Sequence, residues 1–271
     1  KKVLNLNFFI KSFSQINLDY TSEKDFIKKF KLSTFLVPLS IAIFANSPIK
    51  ESKLNGYLSY RSYIWQNTSR GGLPKSFLED MNFEKYVDMS INTPLLFISK
   101  NQEHLKSGGK TFKDFMEGNL DVLKNKKPNI KDFETHLATI FNEVRLKKYI
   151  EIRSLDTCEW DCHCGGPAFY TGLLYGNLNE AYDIINKWKS FEVLNAYAEA
   201  PIKGLKTIIR NRTLFEWGKI FLDLAKRGLE KRNIKNTKGN NESIFLQSIE
   251  NILTTNNKAT DTIEKFKKKK I

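Results

Sequence analysis

A carboxylate flanked by guanidinium groups is the first chemistry visible in the chain. Arg145, Glu151 and Arg153 share one parity with Lys147 and Tyr149, while Val144, Leu146, Ile150 and Ile152 share the other. Successive side chains of a strand point to opposite faces, so residues 144–153 read as a strand with one oily and one charged face. Lys148 interrupts the oily face, but its long stem can snorkel. Carboxylate oxygens suit a hard cation such as Mg2+. Guanidinium forks suit carboxylates and phosphates. Together they would serve a site that handles a metal nucleotide and an acidic substrate. The competing reading is a solvated strand face with cross-strand ion pairs.

A second set lies upstream. Residues 57–65 read as a strand with Tyr57, Ser59, Arg61, Tyr63 and Trp65 on one face. An arginine among aromatic rings is held stiffly, either to grip a ligand or simply to pack. Residues 14–20 alternate Ile16, Leu18 and Tyr20 against Gln15, Asn17 and Asp19, which gives a half-buried strand with an acidic face. Residues 130–137 form a helix that delivers His136 close to the central strand, where a lone histidine is usually structural. Gly108-Gly109-Lys110-Thr111 mimics the end of a phosphate loop, but His104 stands where its first glycine belongs, so the motif is rejected.

Cys158, Cys162 and Cys164 cluster around His163. Four potential ligands within seven residues make a zinc site conceivable, but the spacing is wrong for a zinc finger or ribbon and no second ligand pair appears elsewhere. Such a cluster is not a secreted disulfide framework, so free thiols and a reducing cytoplasm are expected.

These residues need positioning elements. Ser22 caps a helix, with Asp25 at the capping-box position and Phe26, Ile27 and Phe30 as its buried stripe. A second helix over residues 34–45 tolerates Pro38 only near its first turn. Residues 178–189, 213–231, 243–253 and 260–267 read as helices. The second of these carries Leu214, Trp217, Phe221, Leu224, Ala225 and Leu229 at amphipathic spacing. The pattern is α+β: a sheet-containing part over residues 1–165 and a helical block over 166–271. The glycine-rich turn of a dinucleotide-binding fold is absent.

With 271 residues and 41% hydrophobic content, the chain can bury a substantial core. Its longest apolar run, residues 32–45, is too short to cross a bilayer and contains Ser33, Thr34, Pro38 and Ser40. There is no secretory leader and no initiator methionine, so the chain reads as part of a longer product. The net charge of +14 permits phosphate binding. However, the lysines are scattered, and only residues 267–270 form an unbroken basic block. A nucleic-acid binder is therefore the weakest of the functional readings.

At this point several motifs fall into one order. They are Asn17-Leu18-Asp19-Tyr20-Thr21-Ser22-Glu23, Phe44-Ala45-Asn46-Ser47-Pro48, Leu58-Ser59-Tyr60-Arg61-Ser62-Tyr63-Ile64-Trp65, Glu143-Val144-Arg145-Leu146-Lys147, Tyr149-Ile150-Glu151-Ile152-Arg153 and Gly172-Leu173-Leu174-Tyr175. The series resembles glutamate–cysteine ligase of the plant and alphaproteobacterial type. The resemblance implies a fold similar to glutamine synthetase, an antiparallel sheet forming a cradle with helices around it. It implies ATP-dependent joining of the glutamate side-chain carboxylate to the cysteine amine, with ATP and Mg2+ as cofactors. On this resemblance Glu151 would bind Mg2+, Arg153 would hold glutamate or the transferred phosphoryl group, and Arg145 would meet phosphate. Arg61 would grip a substrate carboxylate in a pocket shaped by Tyr63 and Trp65, and Asp19 would orient the site.

The chain departs from this family in four places. Nothing corresponds to the family's N-terminal half, with its acidic metal ligands. Ile10-Lys11-Ser12-Phe13 replaces its Arg-Thr-Cys-Thr run, and residues 267–271 stand in place of its C-terminal tail. Of the three cysteines only Cys164 falls on a family cysteine. The expectation is a fragment, a split subunit or a decayed copy that works with a missing half or catalytic partner chain. A non-catalytic partner, docked through an open sheet edge, is the alternative.

Overall fold

The computed structural model describes residues 13–68, 70–100, 103–158 and 160–268. The arginine–glutamate motif lies in a three-stranded antiparallel sheet. Its central strand, Ile150–Asp156, runs between Phe13–Leu18 and Val144–Leu146. All seven residues of the central strand are buried. Ile150 and Ile152 enter the main core beside Ile16, Leu18 and Val144.

The single strand expected over residues 144–153 is a hairpin. The chain reverses at residues 147–149, where the Lys147 N–H donates to the Tyr149 carbonyl at 2.8 Å. Leu146 pairs with Ile150, Arg145 with Glu151 and Val144 with Ile152. The paired positions keep their parity across the turn, so the oily and charged faces survive while the continuous strand does not.

The strand expected over residues 57–65 is also corrected: Tyr60–Gln66 is a helix. Ser59 caps it, accepting from the Ser62 N–H at 3.2 Å. The aromatic spacing fits period three as well as period two. Tyr57, Tyr60 and Tyr63 stack along one side, with centroids 5.8 Å apart from Tyr60 to each of the other two. Arg61 and Trp65, four apart, share the buried side.

The helix Glu23–Phe35 starts as its sequence dictates. Ser22 Oγ accepts from the Asp25 N–H, and Asp25 accepts from the Thr21 N–H. Phe26 and Phe30 bury against Phe77, Phe83 and Tyr86. The helix expected over residues 34–45 is shorter, Val37–Phe44, with Pro38 in its first turn and every residue buried.

The long helix Leu214–Arg232 begins at a Thr213/Glu216 capping box. It crosses the π-helical turn Gly172–Gly176 at very close range. A β-carbon on Gly228 would run into the carbonyl oxygen of Gly172. One core cluster extends from Ile16 to Leu253, across the 165/166 boundary, and a smaller one gathers around Phe112 and Phe115.

Free thiols were expected at all three cysteines, but Cys158 and Cys162 form a disulfide and only Cys164 is free. The short helical turn Trp160–Cys162 brings the two Cα atoms to 5.7 Å, within the normal bridging range. Among the described residues no helix is long and apolar enough to cross a membrane. Of the basic block at 267–270, positions 269 and 270 lie outside the described residues, as do residues 1–12 with the Ile10-Lys11-Ser12 replacement.

Candidate functional site

Glu151 is fully buried and surrounded by cations. Across the hairpin, Arg145 donates from Nε to Oε2 at 3.1 Å and from Nη2 to both oxygens at 2.8 and 2.7 Å. Lys147 Nζ reaches Oε2 at 2.7 Å, and Arg153 Nη1 reaches Oε1 at 2.7 Å. Burial alone would raise the Glu151 carboxyl. The bonds from Lys147, Arg145 and Arg153 outweigh it and hold the group below the usual carboxylate range. Arg145 also donates from Nη1 to the carbonyl oxygens of Ala138 and Ile140 at 3.3 and 3.0 Å. These carbonyls lie where the helix Ile130–Ala138 ends, a place that favours positive charge.

The buried helix Tyr60–Gln66 brings Arg61 to the same place. Arg61 donates from Nη2 to the carbonyl oxygen of Arg153. Its guanidinium carbon and that of Arg153 lie 5.8 and 5.6 Å from the Trp65 ring centroid. Both arginines therefore share one aromatic wall. Burial, and then the charge of Arg145, lower the Arg153 pKa. The structure thus brings Arg61, Trp65, Arg145, Glu151 and Arg153 together. Tyr63 stands in the tyrosine stack on the other side of its helix. Asp19 is exposed beyond the end of the first strand. Its N–H donates to the Tyr175 hydroxyl at 2.6 Å, and its carbonyl accepts from Lys29 at 3.0 Å. His136 is buried, with Nε2 2.8 Å from the Ser90 carbonyl and its ring stacked on Phe112, as befits a structural histidine.

Three participants escaped the sequence reading. Glu143 lies one cross-strand step beyond the Arg145–Glu151 pair and is 1% exposed. Tyr197 donates its hydroxyl to Glu143 at 3.0 Å. Burial pushes the Glu143 carboxyl up, against the pull of Arg61, Tyr197 and Arg153. The same hydroxyl lies against Gly72, where a β-carbon would stand 3.2 Å from it. Asp156 ties down the Arg61 helix: it accepts from Ser59 Oγ at 2.8 Å and Ser47 Oγ at 2.7 Å. Ser47 Oγ in turn accepts the Arg61 N–H at 3.1 Å. Extending the alternation back two residues from Arg145 would have found Glu143. No local signal marks Tyr197.

Chemically, Arg61, Arg145, Lys147 and Arg153 crowd around two buried carboxylates, Glu143 and Glu151. Among the described residues no group of three or more His, Cys, Asp or Glu side chains is placed to hold an ion. Both Glu151 oxygens are already occupied by cationic partners.

The site is thus a buried cluster of guanidinium and carboxylate groups within an α+β fold. Comparison with known proteins narrows this. Residues 11–270 match the profile of glutamate-cysteine ligase family 2, and the chain belongs to that family. It is 40% identical over 246 residues to glutamate–cysteine ligase B, chloroplastic, of Oryza sativa subsp. japonica, covering 89% of this chain and 48% of that protein. It is 41% identical over 228 residues to the chloroplastic enzyme of Solanum lycopersicum, covering 82% of this chain and 44% of that protein. With the chloroplastic enzyme of Arabidopsis thaliana it is 39% identical over 246 residues, covering 89% and 46%. The chain spans about half the length of the curated relatives it matches. The expected cytoplasmic home is corrected: these relatives are named chloroplastic.

Proposed function

We propose that this chain supplies the phosphate- and carboxylate-binding half of an ATP-dependent glutamate–cysteine ligase working in a plastid. The observation that carries the reading is the meeting of Arg61 and Arg153 over Trp65 beside the Arg145–Glu151 pair. The glutamate side-chain carboxylate would attack the γ-phosphorus of ATP, breaking its bond to the bridging oxygen and releasing ADP, to give an acyl phosphate; the cysteine amine would then attack the acyl carbon, releasing phosphate and a proton. In that sequence Arg153 neutralises phosphoryl oxygens and Arg61 holds the amino-acid carboxylate, while Arg145, whose N–H groups are committed to Glu151 and to the Ala138 and Ile140 carbonyls, lends its charge from behind. Fixed, buried cations stabilise developing negative charge without reorganising. Trp65 keeps both guanidinium groups from folding back. Mg2+, when bound, would screen the nucleotide phosphates. Glu151 could contribute to its shell only after Lys147 or Arg153 turned to a phosphate, with the other ligands supplied from outside the described residues.

In this reading the three strands form one part of a larger cradle similar to that of glutamine synthetase. The sheet part over residues 1–165 carries the site, and the helical block over 166–271 braces it through Tyr197. The strands Phe13–Leu18 and Val144–Leu146 each have one sheet neighbour among the described residues, so each offers an edge. A non-catalytic partner subunit, docked through such an edge, is the second reading.

The test is ADP release dependent on glutamate plus cysteine, from this chain alone and from this chain supplied with the half of the rice relative that it does not span. Activity restored by that half, and lost or shifted to high glutamate KM in Arg61→Ala, supports the ligase. Restored activity that ignores Arg61→Ala refutes the assigned site.

A further inference from the structure

On the face of the helical block lies a second basic hollow, built from segments that the proposed active site does not use. Its volume is about 350 Å3. Trp188, Trp217, Ile184 and Ile220 form its apolar wall, and Lys187, Arg210 and Arg212 stand at its rim. The two indoles meet edge to face, with centroids 5.0 Å apart.

Two of the three cations, Arg210 and Arg212, are held in place, and among the described residues none is tied up in an ion pair. Arg210 lies in a two-residue turn between Ile208–Ile209 and Arg212–Thr213, with φ of 49° at Arg210 and 61° at Asn211. The left-handed region is uncommon for an arginine. Its guanidinium donates to the Lys187 carbonyl oxygen, which pins it over the hollow. Arg212 lies over the Trp217 ring at 5.5 Å. Among the described residues none of the three cations forms an ion pair within 4.0 Å. Glu216 is close enough to feel Arg212, but its Oε2 is taken by the Thr213 N–H and hydroxyl at 2.8 and 2.7 Å.

We propose that this hollow binds a small organic anion consisting of a flat ring bearing a carboxylate or a phosphate. The ring would lie against the indoles and isoleucines. Its anionic head would meet Arg210, Arg212 and Lys187. The apolar wall alone would not select an anion, and the rim alone would not select a ring. The site stands independently of the ligase reading.

Isothermal titration of the whole chain at low salt tests this with four probes. AMP and 2-naphthoate each carry ring and anion; adenosine and inorganic phosphate carry one part only. The expected result is binding of AMP, of 2-naphthoate or of both, with adenosine and phosphate at least about tenfold weaker, equivalent to about 1.4 kcal/mol. Which probe binds identifies the head group. The double variant Arg210→Gly/Arg212→Gln should weaken binding by at least about tenfold. Glycine takes a φ of 49° without strain, so this variant should unfold at the same temperature or higher. If neither ring-bearing anion binds the parent chain, the proposal fails. It fails equally if the double variant binds as tightly as the parent. In that case the ligand sits elsewhere, for instance against Arg61 and Arg153, and the ligase reading is untouched.

Discussion

Replacing Glu151 by Gln removes one negative charge from among three cations while keeping the side chain's shape. Arg145 and Arg153 are each 8% exposed at the side chain and Glu151 is 0% exposed, so two of the three ion pairs are buried. Breaking a buried pair by deleting one partner costs about 3–5 kcal/mol, because the other charge stays buried and unpaired. Lys147 is 37% exposed and can turn to water, so its pair adds at most about 1 kcal/mol. The amide retains one acceptor oxygen, which places the expected loss at about 3 kcal/mol at pH 7. That is a large share of the roughly 5–15 kcal/mol that holds a domain together. The pH dependence has a definite sign. The folded carboxyl titrates below its ordinary value of 4.5, so its contribution is complete above that value and is lost as pH falls through the folded pKa. Urea unfolding, followed by circular dichroism, should therefore show the parent and variant curves far apart at pH 7 and converging as pH drops below 4.5. A variant within about 1 kcal/mol of the parent at pH 7 would refute the view that Glu151 clamps the guanidinium groups.

Glu143 should behave in the opposite way. Its folded pKa is raised by burial, so the parent loses stability relative to Glu143→Gln as pH rises above 4.5, and a pH series of urea midpoints reads this directly. Gly228→Ala places a methyl against the Gly172 carbonyl and should cost about 1–3 kcal/mol, visible as a lowered thermal midpoint; an unchanged midpoint would show that the two segments are free to separate. Thiol titration of the unfolded chain should count one free cysteine before reduction and three after it. The loop closed by the disulfide is short, so reduction should lower stability by only about 2 kcal/mol.

Much of this protein is legible in one dimension because the relevant interactions are local. The two faces of residues 144–153 follow from the pleat, whose period of two survives the turn at residues 147–149. The Ser22 cap and the Thr213 capping box follow from hydroxyls placed three residues before the N–H groups they satisfy. The family is written in the order of many short motifs. Other features required the folded chain. A run with aromatic residues at every second or third position is compatible with both strand and helix. Burial of Arg61 and Trp65 together against the sheet selected the helix. Cysteines four apart pair only when a helical turn folds them toward each other. Tyr197 lies 54 residues from the carboxylate it holds, and no periodicity reaches that far. Local patterns determine which face of an element is oily. Only packing determines which charged groups come to share one buried cluster, because the cost of burying each charge depends on neighbours supplied by distant segments.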